Sequence, residues 1–214
     1  MLGIIGGTGP EGRGLGLRYA LAGEDIFIGS RSTVRAEQIA SRISSYDIKG
    51  RVKGGSNEEA AQESDILIIS VPYSGHFETL TALQKSLAEK IVIDVVVPLS
   101  IDQGRALSIP VEQGSVAKQA EGILLNSNVV AAFQTISARD LLIPDKIIDS
   151  DVVVCSNDTD AKLVVMSLVE KIADLRAVDG GDLENAGYLE NFTALLLNIN
   201  KIYKAHSSLR ITGI

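Results

Sequence analysis

A doubly wound α/β fold is predicted by three features of this sequence. Short apolar runs that suit strands alternate along the chain with segments of helical periodicity. The first apolar run, Leu2 to Ile5, leads directly into a glycine-rich turn and then into a helix. A later run, Asp65 to Val71, is apolar nearly throughout, as expected for a central parallel strand that is covered on both faces. Together these features indicate a Rossmann-type sheet with helices on both sides.

The glycine-rich turn has the spacing G-x-G-x-x-G, formed by Gly7, Gly9 and Gly12. After a strand, Gly7 permits a tight turn, Gly9 leaves room for a pyrophosphate, and Gly12 lets the helix pack closely on the strand. The helix N-terminus then faces the phosphates, where free N–H groups and the positive end of the helix dipole stabilise anionic charge. We therefore predict a dinucleotide site that also includes Pro10 and Glu11.

The end of the second predicted strand, Asp25 to Gly29, indicates which dinucleotide binds. Chains that bind NAD usually place Asp or Glu there, about 20 residues beyond the glycines. This chain has Gly29, followed by Ser30 and Arg31, and Arg35 adds a second guanidinium group. Arginine pairs well with phosphate oxygens, and no carboxylate is present to repel a 2′-phosphate. The sequence therefore predicts NADP rather than NAD, unless the segment is a plain loop followed by solvated charges.

Composition argues against several other classes of protein. The chain has 214 residues, of which 45% are hydrophobic and 22% charged, as is typical of a folded soluble protein. Its net charge of −7 argues against nucleic-acid or anionic membrane partners, which need a basic surface. The first residues have no signal-peptide pattern, and no segment approaches about 20 uninterrupted apolar residues. We expect a cytoplasmic protein.

Side chains suited to catalysis or to metal binding are sparse. Cys155 is the single cysteine, and its apolar surroundings favour a buried structural thiol. His76 and His206 are the two histidines and stand far apart in the sequence, so a zinc site is not expected. No G-x-S-x-G pattern occurs. We predict no catalytic residue and no metal ligand, with the chemistry supplied by a cofactor.

Two later segments bear on a ligand pocket. Val71, Pro72 and Tyr73 follow a predicted parallel strand at its carboxyl end, where ligands bind in open α/β sheets. They are expected to line a nicotinamide pocket, although Pro72 could merely stop the strand and Tyr73 merely fill space. Residues 98–111 show no clear period and are predicted to form a loop.

The chain changes character after residue 180. We predict a dinucleotide-binding domain over residues 1–180 and a C-terminal helical extension over 181–214. From Leu183 to Ala205, large apolar residues recur at helical spacing. This stripe is predicted to form the interface of a homodimer, or else to cover the chain's own sheet.

The chain resembles the NADP reductases that depend on coenzyme F420, over essentially its whole length. The segments that carry the resemblance are the glycine turn, Gly29-Ser30-Arg31, Val71-Pro72-Tyr73, residues 132–137, the strand with Cys155, and the stretch LENFTALLLNIN. The resemblance implies a reversible hydride transfer between NADP(H) and the deazaflavin F420, without a protein nucleophile or a general acid or base. It also implies a dimer in which the extension contributes to the coenzyme pocket.

Binding positions follow from the family pattern, residue by residue. Those implied for NADP, beyond the glycines, are Thr8, Ser30, Arg31 and Arg35, with Val71 and Pro72 near the nicotinamide. Those implied for the deazaflavin pocket are Gln134, Ile136, Asn191 and Thr193. Some members of the family have His at the position of Gln134. Glutamine forms hydrogen bonds but does not transfer a proton, so that role is excluded here.

Two other functions fit parts of the sequence. One is an NADP-dependent reductase of a small imine or carbonyl substrate, such as a pyrroline carboxylate. Such enzymes commonly add a larger helical domain, and the roughly 35 residues after Gly180 leave little room for it. The other is a non-catalytic module that senses NADP.

Overall fold

The computed structural model describes residues 1–214. The strands are β1 (Leu2–Ile5), β2 (Ile26–Ser30), β3 (Val52–Ser56), β4 (Ile66–Ile69), β5 (Ile91–Asp94), β6 (Leu99–Asp102), β7 (Arg105–Ser108), β8 (Asn128–Ala131), β9 (Ser150–Val154) and β10 (Leu175–Asp179). The α-helices are α1 (Pro10–Ala22), α2 (Thr33–Ser44), α3 (Asn57–Glu63), α4 (Tyr73–Leu83), α5 (Val116–Ile123), α6 (Ala138–Leu141), α7 (Thr159–Val169) and α8 (Ala186–Tyr203). A short 3₁₀ helix, Leu183–Asn185, precedes α8.

The main sheet has six parallel strands in the order β3-β2-β1-β4-β5-β8. The chain builds outward from β1 in one direction through β2 and β3, and then returns to add β4, β5 and β8 on the other side. The reversal lies between β1 and β4, which is where ligands bind in such sheets. The predicted doubly wound, Rossmann-type fold is confirmed. Beyond β8, the strands β9 and β10 form a parallel pair, joined to it by an antiparallel bridge between Ala131 and Cys155.

Side chains of the first strand point to opposite faces of the sheet and seed two cores. Ile4 packs on the face covered by α1, α2, α6 and α7, and Ile5 packs on the face covered by α3, α4 and α5. Both are fully buried. This is the alternation expected of a strand covered on both sides. The apolar run that opens the sequence thus places the glycine turn at the carboxyl edge of a sheet with helices on both faces.

Residues 98–111 correct one prediction, because they contain a β-hairpin rather than only a loop. Strands β6 and β7 pair antiparallel, with Asp102 opposite Arg105. The two residues between them, Gln103 and Gly104, both have positive φ, 46° and 75°. Tight hairpins favour such a turn because its twist matches that of the strands. Each strand spans only four residues, too few for a clear alternating pattern.

Several boundaries differ from those that the sequence pattern predicts, which are Gly12 to Ala22 for α1, Ser74 to Lys90 for α4 and Glu112 to Leu124 for α5. Helix α1 begins at Pro10, not at Gly12, and proline at the first helical position suits its fixed φ. Helix α4 ends at Leu83, well before Lys90. Helix α5 begins at Val116, where the Ser115 side chain accepts a hydrogen bond from the N–H of Lys118. The stretch Ser56-Asn57-Glu58-Glu59 predicts a capping box at the start of α3, and the structure has it.

The hairpin and α8 are held together by side-chain contacts. The Asn198 amide accepts a hydrogen bond from the Ala106 N–H and donates one to the Ala106 carbonyl, both at 2.9 Å. The Lys201 ammonium donates to the Gly104 carbonyl at 3.0 Å. Beyond α8 the chain returns to β9, where Asp151 accepts from the Ile211 N–H at 2.6 Å and pairs with Arg210.

None of the helices combines the length and the apolar character that crossing a membrane requires.

Candidate functional site

A cavity of about 820 Å³ opens at the carboxyl ends of β4, β5 and β8 and is closed on one side by α8. Its size falls in the range of ligand sites, about 300–1,000 Å³. Of the binding positions predicted from the sequence, those that line it are Pro10, Glu11, Val71, Pro72, Tyr73, Gln134, Ile136 and Thr193. The cavity thus joins the N-terminus of α1 to the predicted nicotinamide and deazaflavin positions.

The roles of the glycines in the turn differ in part from the predicted ones. The residue in the left-handed region is Gly6, with φ of 74°, where a Cβ would lie 2.6 Å from a Val71 methyl. Gly6 therefore makes the tight turn assigned above to Gly7. A Cβ on Gly12 would lie 2.5 Å from the Ser70 hydroxyl, so this residue does serve close packing. A Cβ on Gly9 would meet no atom nearer than 3.8 Å, so its outer side is open space.

The predicted 2′-phosphate positions, Ser30, Arg31 and Arg35, lie at the end of β2 and the start of α2, outside the cavity. Both guanidinium groups are exposed, and neither forms a salt bridge. The Ser30 hydroxyl accepts from the Ser32 N–H at 3.2 Å. Both cations thus lack carboxylate partners in a chain of net charge −7, and guanidinium groups pair well with phosphate oxygens.

Asn57 supports the turn and was not found from the sequence. Its side-chain oxygen accepts a hydrogen bond from the Gly6 N–H at 3.1 Å. A Cβ on Gly29 would lie 3.0 Å from that same oxygen. Glycine at position 29 therefore does more than leave out a carboxylate. A larger side chain there would displace Asn57. From the sequence, Asn57 was predicted only as part of the capping box that opens α3.

Gln134 is held in place at the cavity wall. Its side-chain amide donates to the backbone carbonyl of Asp94 at 2.9 Å, and its backbone carbonyl accepts from the Thr193 hydroxyl at 2.8 Å. The preceding residue, Phe133, has φ of 71°, an uncommon conformation for a bulky side chain. Phe133 is buried and meets the Tyr19 ring edge-on, with ring centroids 6.4 Å apart. Packing and hydrogen bonds therefore fix the chain where the deazaflavin position is predicted.

A buried His–Asp pair lies next to Gln134. It was not predicted from the sequence. His76 Nε2 is 2.7 Å from Asp94 Oδ2, and neither side chain is exposed to solvent. The other oxygen of Asp94 accepts from the Val96 N–H at 3.0 Å, and Val96 lines the cavity. Burial alone would lower the pKa of His76, but the Asp94 carboxylate reverses this and the pKa is raised. Asp94 thus connects His76, Val96 and Gln134.

The carboxylate of Glu190 joins α8 to the same region. It accepts hydrogen bonds from the N–H groups of Val116 and Ala117, at 2.9 and 3.2 Å, in the first turn of α5. Burial raises its pKa to about 7, although the two N–H donors oppose the shift. This contact fixes α8 against the N-terminus of α5.

Helix α8 presents one face to the cavity. The lining residues on this helix recur every three or four residues, singly or as adjacent pairs, and are Thr193, Leu196, Leu197, Asn200 and Lys201. Asn191 is exposed and does not line the cavity. It precedes Thr193 by two residues, a rotation of about 200° on a helix, so it points the other way. In this chain, Asn191 is therefore not brought together with Gln134, Ile136 and Thr193.

Cys155 is buried behind the sheet, and burial raises the pKa of its thiol to about 11. The structural interpretation of this residue is therefore retained. No group of three or more His, Cys, Asp or Glu side chains is placed to hold a metal ion.

The fold and the site define a Rossmann-type dinucleotide-binding protein with a further ligand cavity beside the glycine turn. Residues 1–98 match the family model described as NADP oxidoreductase, coenzyme F420-dependent. The F420-dependent NADP reductase of Methanothermobacter thermautotrophicus is 38% identical over 99% of this chain and 94% of its own. That of Methanocaldococcus jannaschii is 38% identical over 99% of this chain and 97% of its own. The chain belongs to the F420-dependent NADP reductase family.

A solved structure from Arthrobacter sp. FB24, assigned provisionally to an F420-dependent NADP reductase, shares the fold. It superimposes with a TM-score of 0.84, at 21% identity, over 99% of both chains. This likeness covers the C-terminal extension as well as the sheet.

Proposed function

We propose that this protein is an oxidoreductase that transfers a hydride reversibly between NADP(H) and coenzyme F420. The observation that carries the proposal is the cavity, which adjoins the glycine turn at the reversal point of the sheet and is large enough for a second ring system. Membership of the family supplies the identity of the two co-substrates.

The residues divide into two proposed sets. NADP lies along the glycine turn, with its 2′-phosphate between Arg31 and Arg35 and its nicotinamide near Val71 and Pro72. The deazaflavin lies against Gln134, Ile136 and Thr193. When bound, the two coenzymes supply the hydride chemistry between themselves. The chain's part is to hold the ring faces about 3–3.5 Å apart and to exclude water.

Isotope transfer tests the reaction. With stereospecifically deuterated NADPH, oxidised F420 and ordinary water, we expect one prochiral form to deliver its deuterium to C5 of the deazaflavin without dilution. Direct transfer leaves no step at which solvent protons could replace the label. The measurement is mass spectrometry of the product.

Two outcomes would reject the proposal. One is that neither deuterated form delivers its label, and the other is that the protein reduces small imines but not F420. The second outcome would favour the pyrroline-carboxylate-reductase-like alternative. NADPH binding without any turnover would favour the sensing module.

Replacing Arg31 with alanine tests the 2′-phosphate position. We expect NADP binding to weaken by about 1.5–3 kcal/mol, since one charge-assisted hydrogen-bonding group is lost. NAD binding should change little. Arg42→Ala, which removes an exposed guanidinium near the end of α2, is the matched control. Equal losses for NADP and NAD, measured by fluorescence titration, would contradict the assignment.

We further propose a homodimer that uses the outer face of α8. The stripe predicted from the sequence is divided, because Leu196 packs inward while Leu195 is 51%, Ile202 72% and Tyr203 74% exposed. Ile101 of the hairpin is 67% exposed and lies on the element that contacts α8. Exposed apolar side chains grouped in this way commonly mark an interface.

Light scattering tests the dimer. We expect twice the chain mass at micromolar concentration, and a monomer for the double variant Leu195→Glu and Ile202→Glu, since buried charges oppose association. Leu163→Glu, at an exposed apolar position on α7, should leave the mass unchanged. A wild-type monomer would defeat the proposal.

We also propose that the chain divides into residues 1–180 and 181–214. The extension, residues 181–214, then forms part of the coenzyme pocket. Its support is that α8 supplies one wall of the cavity. The cytoplasmic location stays a prediction.

A further inference from the structure

Glu11 is the single acidic side chain among the residues that line the cavity. It is the second residue of α1, the helix whose N-terminus faces the proposed pyrophosphate position. Its Oε1 atom is shielded from solvent and has no hydrogen-bond partner. An acidic residue in the first turn of a helix usually stabilises it by facing the positive end of the dipole. Here the phosphates of a dinucleotide would need that same positive end.

We propose that Glu11 is uncharged when the dinucleotide binds, and that ionisation of this carboxyl group weakens dinucleotide binding at alkaline pH. The inference rests on the proposed function, because it takes the ligand to be an anionic dinucleotide on the glycine turn. A neutral carboxyl leaves the positive charge of the helix end to the phosphates. An ionised one neutralises part of that charge and repels them.

The surroundings of Glu11 support this. Burial raises the pKa of this carboxyl to about 8. The charged and titratable side chains on the elements around the cavity are Tyr73, Arg139, Lys201, Lys204 and His206, with Arg13 on α1 itself. None of these forms a hydrogen bond or an ion pair with Glu11, and His206 is bound to Asp140 at 2.6 Å. No cation therefore compensates an ionised Glu11.

The same geometry has a consequence for stability. A carboxyl group whose pKa is raised in the folded state binds its proton more tightly there than in the unfolded chain. Folding is then penalised progressively as pH rises from about 4.5 to about 8, and by a constant amount above that. Glu11→Gln keeps the shape and a hydrogen-bond donor but cannot ionise. We expect this variant to gain in Tm over the wild type as pH rises from 5 to 8.5.

The experiment compares wild type and Glu11→Gln from pH 6 to pH 9.5. Fluorescence titration gives the Kd for NADPH at each pH, normalised to the value at pH 6, and thermal unfolding of the free proteins gives Tm. If the protonated form alone binds, wild-type affinity falls about tenfold per pH unit above the pKa of Glu11. Both proteins meet the same ligand, so titration of the ligand cancels in the comparison. Glu170→Gln, at an exposed position directly after α7 that does not line the cavity, controls for the lost charge.

Three outcomes distinguish failure of this inference from failure of the proposed function. A steep loss of affinity in the wild type and in Glu170→Gln, but not in Glu11→Gln, supports the inference, as does a Tm difference that grows with pH. Identical normalised profiles for all three proteins overturn it and leave the proposed function standing. Failure of the wild type to bind NADPH at any pH would overturn both.

Discussion

Replacing Gly9 with valine should abolish NADPH binding while leaving the protein folded. The reason is the open space outside Gly9, where a Cβ would meet no protein atom nearer than 3.8 Å. The backbone there has φ of −74° and ψ of 168°, which any residue can adopt. A valine side chain would therefore fit the free protein and occupy the place where a pyrophosphate must approach the backbone. Loss of the fluorescence enhancement of NADPH, with an unchanged circular dichroism spectrum and Tm, is the expected observation.

The neighbouring glycine provides a contrast. A Cβ on Gly12 would lie 2.5 Å from the Ser70 hydroxyl and 2.7 Å from the Gly7 Cα, so Gly12→Ala should destabilise the fold itself. The two variants separate a ligand-facing glycine from a packing glycine in one motif. If Gly9→Val retained the fluorescence enhancement, the dinucleotide would lie elsewhere.

Replacing His76 with alanine should have the largest effect on stability. The change leaves the Asp94 carboxylate buried without its partner 2.7 Å away, and breaking a buried pair in this way costs about 3–5 kcal/mol. Chemical denaturation would measure the loss. Phe77→Ala, at a 58% exposed neighbour on α4, should change the free energy of unfolding by only about 0.5 kcal/mol or less.

The loss should also depend on pH. Because the pKa of His76 is raised in the folded state, the charged pair contributes fully below the unfolded pKa of about 6.5 and less as pH rises through the folded pKa. The difference between wild type and His76→Ala should therefore be larger at pH 6 than at pH 9. A loss below about 1 kcal/mol at pH 6 would show that the pair is not a buried charged contact.

The sequence was sufficient for the fold because the signals that predict it are local. The strand, the glycine turn and the helix occupy consecutive residues, and the capping box that opens α3 spans only four. Strand ends are predicted less well. The mostly apolar run Ile91 to Val97 predicts one strand, but the hydrogen-bonded strand stops at Asp94. Apolar character reports burial, and the three residues after Asp94 are buried or half-buried without extending the strand.

The second half of the site depends on contacts between distant residues, which periodicity does not show. His76 and Asp94 are separated by 18 residues, and Asn57 and Gly6 by 51. A carboxylate in an otherwise apolar strand was the one available signal for the first pair, since such a group needs a partner. The direction of Asn191 was misjudged for another reason. Thr193 faces the cavity, and a residue two positions away on a helix is rotated by about 200°, so Asn191 points away from it.

The hydrogen bonds accepted by Glu190 affect when α5 can be completed during synthesis. The first N–H groups of a helix have no partner within that helix, and those of Val116 and Ala117 take theirs from a residue 74 and 73 positions further on. Domains generally fold as units during synthesis. Here α5 acquires its full set of hydrogen-bond partners only when α8 has left the ribosome. A helix made later thus completes the start of a helix made earlier.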